Sequence, residues 1–204
     1  MIPQASIIAA LRDADRAATL ALNDFGGAFS DAVMPVISDH GFIAAIYALL
    51  AAFLVFRIGW KKALVVLLLA ALALLICDQV ANLVKNSVAR LRPCWDDYMV
   101  SKGLSVLEKR GSRFGFYSGH ASTTAGIITV VICIVHDFDK KHRNRALPVL
   151  GVLWVLTVSI SRVYVGKHFV GDIFVGMIAG TLFGFALVCA ARAVIRKYFT
   201  NFAI

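Results

Sequence analysis

The chain has 204 residues, 60% of them hydrophobic and only 16% charged, with a mean hydropathy of +0.80. A soluble domain sits near half apolar and a quarter charged, so this composition excludes an ordinary water-soluble globule and describes one multispan membrane domain. The net charge of +9 does not make the chain a nucleic-acid binder: its bases are scattered between apolar runs, no RNA- or DNA-binding module is present, and anionic lipid is the partner that such a charge fits.

The amino-terminal stretch carries Arg12, Asp13, Asp15 and Arg16 where a secretory signal would have a basic tip and an apolar core, so no cleavable signal peptide is expected. Residues 1–40 mix Ile7, Ile8, Leu11, Leu20 and Phe25 with Asp13, Asp15, Asp24, Asp31 and Asp39. That is too polar to span. It predicts one or two amphipathic helices lying on the membrane, broken at Gly26-Gly27 and ended by Pro35, which cover the flank of a domain formed by residues 41–204.

Five apolar runs follow, near 42–59, 62–81, 120–136, 146–163 and 169–192. Each approaches the roughly 20 residues that cross a bilayer, so the expected fold is all-α, a bundle of five or six transmembrane helices. Cys77, Cys133 and Cys189 lie in apolar runs and Cys94 in a polar loop, which suggests neither a disulfide nor a metal framework. The junction at 57–62, the junction at 137–145 (Lys140, Lys141, Arg143 and Arg145) and the tail (Arg192, Arg196 and Lys197) are basic and fall on one side if all five runs span. The positive-inside rule puts them in the cytoplasm. The amino terminus, residues 85–119 and the 162–168 turn then share the outer face.

Those outer stretches hold the chemistry. The second run ends with Asp78, Asn82 and Lys85, one polar stripe on a helix, with Asp78 and Asn82 placed to orient the lysine or to pair with another span. Arg92-Pro93 follows, a cation at the point where proline stops the helix. Ser118-Gly119-His120 opens the third run, and a hydroxyl and a glycine at a helix start form an anion site out of free N–H groups and the helix dipole. Ser118 reads equally as a plain N-cap; capping does not account for the histidine. Between the last two runs comes 161–172, with Arg162, Lys167, His168 and, four residues later, Asp172. Asp172 can hold one ring nitrogen of His168 and leave the other for a substrate. A snorkelling rim is the plainer reading of that turn taken alone, and Lys167 keeps it. The connecting loop 94–115, with Trp95, Tyr98, Leu104 and Leu107 among bases, either selects a head group or simply packs.

Together these stretches offer Lys85, Arg92 and Arg162 as cations, Ser118 and Gly119 as donors, and two histidines, one with a carboxylate partner. That set suits phosphoryl transfer, with cations on the nonbridging oxygens, one imidazole attacking phosphorus and the other protonating the leaving oxygen. No acidic cluster of the kind that holds Mg²⁺ is evident, so no metal and no cofactor is expected.

Lys85-x6-Arg92-Pro93, Tyr117-Ser118-Gly119-His120 and Ser161-Arg162-x5-His168-x3-Asp172 resemble, in order and spacing, the three signature motifs of the type 2 phosphatidic acid phosphatase family. Tyr117 stands where that family usually has proline, which alters the turn and removes no catalytic group. The family also includes soluble acid phosphatases and vanadate-binding haloperoxidases, and the apolar runs here point to its membrane lipid phosphatases. The resemblance implies His168 as nucleophile of a phosphohistidine, Asp172 as its orienting partner and His120 as proton donor and later base. It also implies Lys85, Arg92, Ser118, Gly119 and Arg162 as the phosphate cradle. The expected function is hydrolysis of a phosphomonoester or diphosphate of an envelope lipid, at the outer face of the cytoplasmic membrane. Undecaprenyl diphosphate, phosphatidylglycerol phosphate, phosphatidic acid and lipid A phosphate are the candidates. A lipid phosphotransferase and a non-enzymatic phospholipid carrier are the alternatives; a carrier would need the cations but not two histidines and an aspartate.

Overall fold

The structure is a computed structural model that describes residues 4–139 and 146–198. The expected basic run Lys140, Lys141, Arg143 and Arg145 lies outside the described residues. The helices are α1 (Gln4–Asp24), α2 (Ala28–Ser38), α3 (His40–Ile58), α4 (Trp60–Val88), a short α5 (Asp97–Ser101), α6 (Gly119–Phe138), α7 (Ala146–Tyr164) and α8 (Val170–Tyr198). Five of them, α3, α4, α6, α7 and α8, are long and apolar enough to cross a membrane, and they correspond to the five apolar runs. The chain is a multi-pass membrane helix bundle.

Local chemistry sets the boundaries. The Asp39 carboxylate accepts from the N–H groups of Gly41 and Phe42 at 2.8 and 3.0 Å, which starts α3. Gly59, at φ +81°, makes the tight turn into α4. The 1–40 stretch does break at Gly26-Gly27 into two helices. Pro35, however, lies inside α2 and does not end it. A proline costs a helix one hydrogen bond, whereas Asp39 must be extended to cap α3, and this sets the break three residues later.

α6 is the axis of the bundle: 61% of its apolar window is buried, against 6% for α3. Its tightest partner is α8. A side-chain carbon at Gly176, Gly180 or Gly184 would stand 2.6, 2.0 or 2.7 Å from the carbonyl oxygens of Ser118, Ser122 and Gly126. The two backbones therefore touch, which only a small-residue stripe allows. The seam fixes the start of α6 against the start of α8, where Ser118 N–H donates to the Asp172 carbonyl at 3.1 Å.

Both charged ends of the bundle follow from this packing. At one end lie the α3–α4 turn and the far ends of α6 and α8, joined by Arg57–Asp139 at 2.6 Å and Arg192–Asp137 at 2.8 Å. At the other lie the starts of α3, α6 and α8 and the last turns of α4 and α7. α1 and α2 run over that second end. Asn23 on α1 is buried, donates to the Tyr164 carbonyl at 2.6 Å and to the Ser105 carbonyl at 3.0 Å, and accepts from Ser105 N–H at 2.8 Å. The 94–115 connection packs beneath it, with Met99 and Leu104 buried against Phe169.

Candidate active site

Six chain segments meet at the second end around a cavity of about 420 Å³. Its wall includes Asp78 and Lys85 from α4, Arg92 from the following loop, Gly119 and His120 from the start of α6, Arg162 from the last turn of α7, and His168. Six of the eight residues assigned to chemistry thus line one space, together with Asp78. Asn82 stands behind: its amide donates to Asp78 at 3.1 Å and its carbonyl oxygen accepts from Lys85 Nζ at 3.4 Å. The predicted stripe is a linked chain of side chains that ends on the lysine. The ammonium in turn packs over Gly119, where a Cβ would meet Nζ at 3.2 Å.

The turn between α7 and α8 folds His168 inward, 2% exposed, under the backbone bonds of Lys167 and His168 N–H to the Arg162 carbonyl. His168 Nδ1 faces Asp172 Oδ2 at 3.4 Å, one helical turn on. The opposite nitrogen, Nε2, is left for the cavity. Burial pushes the imidazole down to about 4; Asp172 opposes that shift, and the Arg92 and Arg162 cations add to it. At neutral pH the ring is therefore uncharged and carries a lone pair. Asp172, with no side-chain exposure, also accepts Phe169 N–H at 3.1 Å, and its Oδ1 accepts from Arg90 Nη1 at 2.9 Å.

Ser118 and Asp172 do not line the cavity. The Ser118 hydroxyl is buried and accepts Ala121 N–H at 3.4 Å, so its side chain caps α6. Arg162 is buried as well, and its Nη1 donates to Glu108 of the loop at 3.2 and 3.4 Å. Lys167 is not the solvated rim residue that the sequence suggests. It is 4% exposed, donates to the Lys109 carbonyl and lies 4.0 Å from Glu108, because the 94–115 loop folds back over it.

Two residues of the site escape sequence reasoning. His40, assigned to the amino-terminal segment, lines the cavity with its ring centroid 4.6 Å from that of His120. Gly115 lies against the His168–Asp172 pair: a Cβ there would stand 2.8 Å from Arg92 Cγ, 3.4 Å from Asp172 Oδ2 and 3.5 Å from His168 Nδ1. Nothing around Gly115 marks it in the sequence. His40 has a signal, since a histidine at a helix start beside an Asp N-cap mirrors Ser118-Gly119-His120.

The model of the PAP2 superfamily matches residues 64–196. A lipid A 4'-phosphatase of Bacteroides thetaiotaomicron is 31% identical over 172 residues, 83% of this chain and 73% of that protein. A phosphatidylglycerophosphatase B of Bacillus subtilis is 40% identical over 77 residues, 36% of this chain and 37% of that protein. Among solved structures, the Bacillus subtilis transmembrane PAP2-type phosphatidylglycerolphosphate phosphatase superposes with a TM-score of 0.69 at 24% identity, covering 91% of this chain and 88% of its own. Aquifex aeolicus LpxE superposes with a TM-score of 0.60 at 18% identity, covering 83% and 92%. These two likenesses establish a shared fold.

Proposed function

The chain belongs to the PAP2 superfamily, and on that premise we propose how its site works and on what. It is a membrane lipid phosphatase. The observation that carries the mechanism is the His168 ring, neutral, held at Nδ1 by Asp172 and bordering a cavity walled by Lys85, Arg92, Arg162 and His120. A phosphate monoester in that cavity places its nonbridging oxygens on the three cations and on the first N–H groups of α6, beside Gly119. His168 Nε2 attacks phosphorus and forms the P–N bond as the ester P–O bond breaks. His120 gives its proton to the departing oxygen, then takes one from water as the water oxygen attacks the phosphohistidine and releases inorganic phosphate. Asp172 fixes the ring and balances the charge that develops on it. Ser118 holds the opening turn of α6 in place, and Asp78 and Asn82 aim Lys85.

The site faces the outside of the cytoplasmic membrane in this reading, because Arg57, Lys61, Lys62, Arg192, Arg196 and Lys197 gather at the opposite end. The substrate is an envelope lipid monophosphate. A lipid A-type glycolipid phosphate is favoured by the long match to the Bacteroides enzyme, with phosphatidylglycerol phosphate second. The test is phosphate release from a panel of purified lipid A, phosphatidylglycerol phosphate, phosphatidic acid and undecaprenyl diphosphate, for the parent and His168→Ala. Release from lipid A that falls at least about 1,000-fold in the variant is expected; near-parental release by His168→Ala would end the covalent mechanism. Preferred release from another lipid of the panel would replace the substrate and leave the mechanism standing.

A further inference from the structure

The phosphate cradle leaves Arg90 unused, a cation with 27% of its side chain exposed. Arg90 does not line the cavity, yet it is the cation in contact with Asp172. Its Nη1 donates to Asp172 Oδ1 at 2.9 Å, and its Nη2 donates to Asp15 Oδ2 of α1 at 2.6 Å. The guanidinium lies 4.0 Å from the centroid of the Phe169 ring, which supports it from one face. The circuit then closes: Asp15 Oδ1 accepts from Gly171 N–H at 2.8 Å, one residue before Asp172. Thr19, one turn along α1, accepts Val170 N–H at 3.1 Å. A side-chain carbon at Gly171 would stand 3.1 Å from the Asp15 carboxylate, so α1 is seated directly on the first turn of α8. Arg90 is itself held by its backbone, since its carbonyl accepts Gly115 N–H at 2.9 Å.

A buried carboxylate needs partners on both oxygens. In Asp172, Oδ2 serves Phe169 N–H and His168, and Oδ1 has Arg90. If Oδ1 lost its partner, the carboxylate could rotate and the imidazole with it. A planar fork joining two carboxylates is the geometry that arginine holds and lysine does not. We propose that Arg90 and Asp15 are positioning residues for the nucleophile: Arg90 fixes Asp172 so that Oδ2 stays on His168, and Asp15 fixes Arg90, which makes the amino-terminal helix a working part of the site. This inference rests on the His168–Asp172 assignment above.

The charges facing His168 are Asp172, Arg92 and Arg162, with Lys85 and His120 across the cavity. Arg90→Met leaves the Asp172 charge to be balanced by His168, so protonation of the ring becomes easier and the acid limb of kcat/KM moves to higher pH. Asp15→Asn keeps an acceptor for Gly171 N–H but leaves the Arg90 charge unshared, so protonation becomes harder and the limb moves to lower pH. The experiment measures pH profiles of full-length Arg90→Met, Arg90→Lys and Asp15→Asn in detergent, beside His168→Ala, on one lipid phosphate. The expected result is a kcat lowered about 10–100-fold in Arg90→Met, with KM within about twofold, partial recovery in Arg90→Lys, and opposed shifts of the acid limb. A role confined to holding α1 in place would lower the yield of active protein without moving the profile. Unmoved profiles, or shifts in one direction for both, overturn the proposal. If Arg90→Met does not fold, the near-isosteric Asp15→Asn decides alone: a downward shift supports the proposal and an unmoved limb overturns it. Activity surviving in His168→Ala would instead remove the assignment beneath it.

Discussion

The two ends of the bundle carry the same residue types and use them differently. At the basic end, Arg192 pairs with Asp137 while a third of its side chain stays exposed, and Arg57 pairs with Asp139 in a similar half-buried way. At the other end Arg162, Lys167, His168 and Asp172 are all buried, and each charge touches a group from another helix or loop. Burying ions costs several kcal/mol each unless partners are in place, so the second arrangement persists only because the fold imposes it. In the proposed mechanism, the charge of a bound phosphate completes the set at that end. Counting bases along the sequence separates the two ends poorly, since both are rich in them.

The difference should break most completely at the seam that creates it. In Gly180→Val the new side chain would collide with the Ser122 carbonyl, 2.0 Å from where its Cβ must lie. No flexible group is there to yield. Overpacking usually costs about 1–3 kcal/mol, and backbone on both sides puts this site at or above the upper limit. Little monodisperse protein is expected by size-exclusion chromatography in detergent, with activity lost in proportion.

Gly115→Ala is a gentler break, confined to the site end. Its Cβ would displace Arg92 and press on the His168–Asp172 pair while leaving the α6–α8 seam alone. Misplacement by about 1 Å can cost about 100-fold in rate, so kcat/KM for phosphate release should fall by about that factor. The melting temperature should move by only a few degrees, roughly what 1 kcal/mol gives in a chain of this size. Normal activity in this variant would mean that the pair does not need the space that glycine leaves.

The pH dependence sharpens the same contrast. Burial lowers His168 from 6.5 to about 4, so the ring is neutral, and able to attack, at any pH well above 4. The acid limb of kcat/KM should therefore fall near pH 4 and not near 6.5. Stability follows the same sign. Between those values the unfolded state takes up a proton that the folded site refuses, so folding stability is full above about 6.5 and declines as pH falls toward 4. A limb near 6.5 would place His168 in water.

The motifs of the candidate site are legible in the sequence because each is local: a helix repeat, a capping turn, an i, i+4 pair. Apolar run length likewise points to the five spans. What was not legible depends on which segments the α6–α8 seam brings together. Arg90 is 82 residues from Asp172 and 75 from Asp15, and no spacing rule joins them. Lys167 looked like a rim residue because its cover, the 94–115 loop, is distant in the chain. The seam itself had left a trace in Gly176-x3-Gly180-x3-Gly184, a small-residue stripe in the last apolar run.

The smallest expected effect lies at the basic end. Arg192→Gln removes a two-pronged contact, Nε to Asp137 Oδ2 at 2.8 Å and Nη2 to Oδ1 at 2.9 Å, from a partly exposed pair. Water and salt already screen such a pair, so its loss should cost about 1 kcal/mol or less. Arg192 touches nothing in the cavity, and the helix that carries it continues unbroken. kcat and KM should stay at parental values while the melting temperature drops by no more than a few degrees, and less in high salt. A large loss of activity here would show that the two ends are coupled through α8, and that the partition between a structural end and a chemical end is drawn too sharply.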